Sequence, residues 1–371
     1  MPGAAMDFWF ATNQYWNGYS VGGDPTLTVT RTTTGYAANP QGLFSNFPAG
    51  IARITGQGIL IERAATNNVL WSRDMTNAAW TATNVTVALT ATGADGTANA
   101  AATLTSSAGN GTVLQSVTMT SAAHCYGAYV RRRTGTGNID MTIDGGTTWT
   151  TKTLTTSYQL FSETKTAANP QVGFRIVTSG DAVDVDFNML ETSAIVTSPV
   201  VTTTATVTRN ADVITVATSK FNGLGSIGTT GTIFLSATPN AVANVATAFV
   251  VSITDASTNN SIGIRRGSGD PTQLVNLATV AASGQTAVSS LASAITNGTL
   301  FTAGASWVAG ANAISVNHAA TVTAAPTSAP TGLTTIGIGL DGGSSNHFNG
   351  YIQRIAVFPV KYANAIIQNG P

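Results

Sequence analysis

The chain has 371 residues, with 16 Lys and Arg against 16 Asp and Glu, so it is formally neutral, and only 9% of it is charged. Globular domains carry roughly 25% charged residues. This composition excludes a basic, counterion-displacing surface for nucleic acid and, with 43% hydrophobic residues, it excludes a disordered chain.

The first 56 residues are dense in aromatics: Phe8, Trp9, Phe10, Tyr15, Trp16, Tyr19, Tyr36, Phe44 and Phe47. Asn, Gly and Pro interrupt them and no period is sustained. Such a segment cannot readily bury its rings alone. Two readings stand: an anchoring segment packed on a neighbouring domain or another chain, or an irregular N-terminal strand covering its own sandwich. No basic region leads into an apolar stretch, so no signal peptide is expected. The longest apolar runs, such as residues 355–360, are far too short to span a bilayer.

Beyond this point strand periodicity dominates. Residues 27–31 and 85–89 alternate. Val183, Val185, Phe187 and Met189 fall on one face of a half-buried strand, with Asp184, Asp186 and Asn188 on the other. Turn pairs punctuate the strands: Asp95-Gly96, Asn110-Gly111, Asp144-Gly145-Gly146, Asn222-Gly223 and Asp341-Gly342-Gly343. Many short strands with regular turns predict β-sandwiches. Cys125 is the one cysteine, so no internal disulfide forms. Beside His124 it admits a nucleophile reading, but a small buried hydrophobe is the expectation. His124, His318 and His347 have no metal-ligand spacing. The run Arg131-Arg132-Arg133 reads as the exposed end of a strand.

Pro199 and the threonines around it suit an extended connector. Residues 285–296 place Val288, Leu291, Ala292 and Ile295 at helical spacing before Asn297-Gly298, although a strand or loop fits the same run. Residues 321–330 read as a surface loop. Near the end, Ile352, Arg354, Ala356 and Phe358 alternate with Gln353, Ile355, Val357 and Pro359; neither face is purely polar, as in a strand covered on both sides.

Several stretches carry a resemblance. Gln57-Gly58-Ile59-Leu60-Ile61-Glu62, followed by Thr66-Asn67-Asn68, Ser72 and Trp80, resembles the "G-L-L-I-E-x-x-x-T-N-L … S … W" segment of bacteriophage virion proteins. Those proteins carry a jelly-roll domain of carbohydrate-binding-module type. Asp95-Gly96-Thr97, Gln115-Ser116-Val117, Tyr129-Val130-Arg131, Val183 to Glu191 and Thr208-Arg209-Asn210-Ala211-Asp212 follow in the family's order, with Met189 where Gln is usual. This resemblance covers roughly residues 6–213. The remainder is similar to a concanavalin A-like, laminin-G-like lectin sandwich, through Thr232 to Ser236 and Phe348 to Phe358.

Together these readings predict an all-β protein of two consecutive β-sandwiches after an irregular N-terminal anchoring segment. The expected parts are residues 1–56, a jelly roll at 57–198, a connector at 199–213 and a lectin-like sandwich at 214–371. The resemblance implies a structural virion protein, a tail fibre or spike, with host surface glycans and other virion proteins as partners. A homo-oligomer, such as a trimer, is in keeping with fibres. A head-decorating protein is the alternative. Nothing predicts membrane insertion.

Trp80, Trp149 and Trp307 are the candidate sugar platforms, each also suited to core packing. Asp181, Asp184 and Asp186 offer a hard-oxygen set for calcium, against the plainer reading of a solvated strand face. No cofactor is otherwise expected. A polysaccharide depolymerase would need paired carboxylates across a sugar. The run Asp184-Val-Asp186-Phe-Asn188-Met189 lacks the terminal acid of lectin-fold hydrolases, and no nucleophile elbow, phosphate loop or zinc motif occurs. No enzymatic activity is expected.

Overall fold

The computed structural model describes residues 3–16, 21–22, 27–221, 223–240, 247–266, 275–291, 295–342 and 346–370, with side chains at all of these except 21–22, 226 and 285–291. Tyr19, Asn222, Ala292 and Gly343, named above, lie outside the described residues. Among the described residues the regular structure is almost all strand, with one short helix, Asn364–Asn369, and brief 3-10 turns. No helix among them is long and apolar enough to cross a membrane.

The chain divides into two units. Unit 1 comprises Met1–Thr32, Phe47–Arg63 and Asn210–Pro371; unit 2 comprises Thr33–Asn46 and Ala64–Arg209. Residues 1–56 are therefore shared between two units and form no segment of their own. The physical reason is pairing at long range. Strand Met6–Trp9 lies antiparallel to Gly350–Phe358, with Phe8 opposite Ile355 and Trp9 opposite Arg354. Phe8, Phe10 and Tyr15 then meet edge-to-face at centroid separations of 5.5–5.9 Å, and Phe8 meets Phe221 at 5.7 Å. These rings bury their area against the last third of the chain. Residues 6–16 thus combine the two readings: they form a strand of a sandwich, but one whose other strands come largely from residues 210 onward.

Unit 1 is built on two antiparallel sheets. The larger runs in order Val322–Ala324, Ala311–Val316, Phe301–Val308, Thr230–Pro239, Gly350–Phe358, Met6–Trp9, Gln14–Trp16 and Val21–Gly22, with Gly58–Ile61 and Ile54–Thr55 attached beside Gly350–Phe358. The other runs Gly284–Leu291, Val275–Ala281, Ser261–Arg266, Ala248–Thr254, Thr335–Ile338, Ile214–Ala217 and Thr28–Val29. Ile233, Leu235, Ile253, Ile264, Trp307 and Ile314 belong to one core that draws on both sheets. The helical spacing at 285–296 is overridden: residues 284–291 form a strand paired with Val275–Ala281, with Ala278 opposite Val288. An available sheet edge outweighs weak local propensity.

Strand Gly350–Phe358 is covered on both sides, as its two apolar faces require. Ile352, Ile355 and Val357 enter the main core, while Ala356 and Phe358 join Phe234 and Ile367 on the opposite face. A register shift against Ser236 and Ala237 leaves Gln353 as an extra residue. The bulge moves Ile352 out of the face predicted for it.

Unit 2 is a sandwich of two five-stranded sheets. One contains Thr81–Thr83, Gly111–Ser116, Gln171–Ile176, Ile139–Thr142 and Thr150–Lys152; the other contains Val85–Ala91, Ala101–Ser106, Ala182–Glu191, Ala122–Thr134 and Gln159–Ala167. Leu104, Tyr126, Val130, Phe174 and Val185 form its core with Trp80. Strand Ala182–Glu191 is central and buried on both faces, so the expectation of a half-buried strand with a solvated acidic face is corrected. The alternation also breaks at Phe187, whose φ is 49°. A bulge there turns Phe187 away from the main core into a second cluster with Phe44 and Ala94. Asn188 faces inward instead, accepting from the Tyr126 hydroxyl at 2.7 Å.

The residues that carry the virion-protein resemblance serve as internal wiring. Asn67 is fully buried and uses all its capacity: it donates to the Asn188 and Val200 carbonyls and accepts from the Val69 and Leu190 amides. Gln115 bonds both ends of the Leu70 backbone. In unit 1, Glu62 and Asp212 converge on the Arg53 guanidinium, and Asp212 also accepts from Arg31 at 2.8 Å. Arg31 reaches the Phe47, Pro48 and Ile51 carbonyls as well. These four charges balance to zero and are buried. Such a network persists only because every member is paired and hydrogen-bonded.

Candidate functional site

On the face of the larger sheet of unit 1 turned away from the main core lies a groove of about 260 Å³. Its floor comes from strands Thr230–Pro239 and Phe301–Val308, through Phe234, Ser236, Thr302 and Gly304. One wall is the C-terminal helix, contributing Ile367, Gln368 and Asn369. Gly304 permits that wall: a Cβ there would lie 2.3 Å from the Ile367 carbonyl oxygen, so only glycine lets the helix backbone settle on the strand.

Trp9 and Arg354 also line the groove. They are cross-strand partners, and the guanidinium carbon sits 4.1 Å from the Trp9 ring centroid. Arg354 is fixed from the other side by Asp7, which accepts from Nε and Nη2 at 2.9 Å each. Asp7 is buried. The indole is thus held in place by a half-buried arginine paired to a buried carboxylate, yet remains 40% exposed.

The polar lining is braced by the backbone. Asn317 Oδ1 accepts from the Thr302 amide at 2.9 Å, which leaves the Asn317 amide NH₂ as a donor. Asn317 and His318 both take positive φ, 48° and 64°, at the end of strand Ala311–Val316. His318 Nδ1 donates to the Gln368 carbonyl at 2.9 Å, and Gln368 Nε2 donates back to the His318 carbonyl at 3.3 Å. An aromatic face beside open hydroxyls and the Asn317, His318 and Gln368 side chains, each held by one bond, is a partly preorganised surface for a small polyhydroxylated ligand.

The residues singled out from sequence lie elsewhere. Trp80 is 5% exposed in the core of unit 2, its indole donating to the Trp71 carbonyl. Trp307 is 2% exposed in the core of unit 1, donating to the Ile227 carbonyl at 2.7 Å. Neither ring is placed as a sugar platform. Trp149 is half-buried, with the Arg175 guanidinium 4.7 Å from its ring centroid; Arg175 is held in turn by Asp140.

Asp181, Asp184 and Asp186 do not converge. Asp184 accepts from Thr103, Arg131 and Arg133. Asp186 accepts from Arg73 and from the Ala94 and Phe187 amides. Asp181 accepts from the Gly137 amide. Among the described residues no group of three or more His, Cys, Asp or Glu could hold a metal ion. Burial pushes the Asp186 carboxyl above its ordinary value, against the pull of Arg73. The run Arg131-Arg132-Arg133 ends its strand as expected, but Arg131 and Arg133 neutralise Asp184. Cys125 is buried, and burial pushes its thiol upward, so it is a poor nucleophile.

Sequence reasoning counted Trp9 among the N-terminal aromatics but missed it as a site. Its partners Asp7 and Arg354 stand 347 positions apart in sequence. The one available signal was the wholly aromatic Phe8-Trp9-Phe10, in which strand alternation must turn the middle ring away from the core.

No family model and no curated protein sequence matches this chain. Several solved structures show partial similarity to this chain. The CBM40 module of a Ruminococcus gnavus IT-sialidase, bound to α2,3-sialyllactose, is 13% identical, covers 38% of this chain and 83% of its own, and has a TM-score of 0.33. Domains LG4-5 of the mouse laminin α1 chain are 11% identical over 69% of this chain and 90% of theirs, with a TM-score of 0.28. A tail fibre protein of an E. coli phage is 9% identical over 82% of this chain and 41% of its own, with a TM-score of 0.22.

Proposed function

We propose that this chain is a non-catalytic, glycan-binding β-sandwich protein, displayed on a bacteriophage particle as a tail fibre or spike. The observation that carries the binding half is the groove of unit 1: an exposed indole, held by an arginine paired to a buried carboxylate, lies among braced amides and open hydroxyls. The resemblance of residues 6–213 to phage virion proteins supports the second half. Fully paired carboxylates on strand Ala182–Glu191 argue against a depolymerase, because a glycosidase needs acids free to exchange protons and attack. A head-decorating protein remains the alternative location, with homo-oligomerisation and other virion proteins as partners in either case.

A glycan array probed with the full chain tests the binding half: reproducible hits are expected, and a blank array refutes it. Immunogold labelling of assembled particles tests the location. Gold at the tail supports the fibre, gold over the head supports decoration, and absence from particles overturns both.

A further inference from the structure

Resting on the glycan-binding reading, we infer that the groove of unit 1 selects an uncharged sugar ring, stacked on Trp9, and discriminates against acidic sugars. The first observation is electrostatic. Among the described residues lining the groove, Arg354 is the one with a formal charge at neutral pH. Its Nε–Nη2 edge is occupied by both oxygens of Asp7, so an incoming carboxylate could reach only the remaining Nη1–Nη2 edge. Its flat face lies on Trp9. The pair sums to zero, so a second carboxylate at that edge would meet repulsion from Asp7 and no net positive charge, whereas a neutral ring incurs no such penalty.

The second observation is the set of unused polar groups. Ser236 and Thr302 are half-buried and line the groove. Asn317 keeps its amide donors, since Thr302 engages only its oxygen. His318 Nε2 is likewise left after Nδ1 bonds the Gln368 carbonyl. Hydroxyls both donate and accept, so this mixture matches the paired donor and acceptor character of sugar hydroxyls. It offers no concentration of donors for an anion.

The third observation is size. About 260 Å³ is below the roughly 300–1,000 Å³ of pockets that enclose drug-sized ligands. The groove therefore admits a single ring of a longer glycan, with the remainder outside.

Calorimetric titration of the full chain tests this inference. The probes are lactose, maltotriose and chitotriose as neutral sugars, and sialyllactose and trigalacturonate as acidic ones, each in low salt and in about 0.5 M NaCl. At least one neutral probe should bind, its affinity changing less than about twofold with salt. Trp9→Ala should weaken that binding about tenfold or more, and Thr302→Val about three- to tenfold; both variants should retain the parent melting profile. Binding confined to acidic probes, or affinity that falls steeply with salt, overturns the inference while leaving glycan binding intact. Neutral binding that both variants leave unchanged overturns the site. A blank titration, together with a blank array, removes the glycan reading and the inference with it.

Discussion

Both units use the same device, an arginine clamped by a carboxylate and laid on an aromatic ring, but they use it to opposite ends. In unit 2, Arg73 bonds Asp95 and Asp186 and lies 4.2 Å from the centroid of Phe187, a ring only 1% exposed. In unit 1, Arg354 bonds Asp7 and lies as close to Trp9, which stays open beside a groove. The same geometry encloses its ring in one place and leaves it open beside a groove in the other. The difference lies in what covers the far side of the ring: Phe44 and Tyr36 pack on Phe187, whereas Trp9 faces the groove. A stacked Arg–aromatic pair is therefore informative about function only when the ring is open.

That contrast can be sharpened by mutation. The largest effect is expected at Asp212, whose removal strands Arg31 and Arg53 without their shared carboxylate in the interior of unit 1. Asp212→Ala should cost about 3–5 kcal/mol in urea unfolding; a loss below about 1 kcal/mol would show that the buried network is dispensable. Next comes Gly304→Ala, which drives a methyl group into the Ile367 carbonyl. It should cost about 1–3 kcal/mol and abolish sugar binding by displacing the helical wall, as read by melting and titration. The corresponding change at Gly310, which has open space around it but a φ of 77°, should cost about 1 kcal/mol of stability and leave binding untouched.

A smaller effect concerns acid. Burial alone would raise the Asp95 carboxyl, but hydrogen bonds from Arg73 and Thr97 take it below its ordinary value. Asp144 is likewise lowered, through Lys165, Thr148 and Thr142, despite its own burial cost. Carboxyls with lowered folded values stabilise above about pH 4 and lose that contribution as the pH falls through them. The melting temperature should be flat between about pH 5 and 8 and fall below about pH 4. Asp186, shifted upward, acts with the opposite sign, so it should blunt this fall without reversing it. The smallest effect is expected from calcium: with Asp184 and Asp186 paired to arginines, millimolar CaCl₂ should leave the melting temperature unchanged. A rise would restore Asp181, Asp184 and Asp186 as a metal site.

Much of the fold was legible in the chain because period-two alternation and turn pairs are local signals. Strands such as Val85–Ala91 need nothing beyond their own neighbours to be seen. What escaped was set at long range or by a single displaced residue. Trp9 and Arg354 meet only through pairing of the two chain ends. The bulges at Phe187 and Gln353 flip faces without any change in residue pattern. Trp80 and Trp307 share tryptophan's suitability for sugar stacking, yet ring type alone does not distinguish a core from a platform; their burial does, whereas Trp149 stays half-buried.

Pairing of Met6–Trp9 with Gly350–Phe358 has a consequence for biogenesis. During synthesis strand Met6–Trp9 can pair with Gln14–Trp16 at once, but its other edge stays open until some 340 further positions have been translated, while the intervening sandwich can already consolidate. The larger sheet of unit 1 is therefore completed only after unit 2, around a strand made before it. A premature stop before residue 350 would forfeit the middle strand of its larger sheet, and with it the binding face.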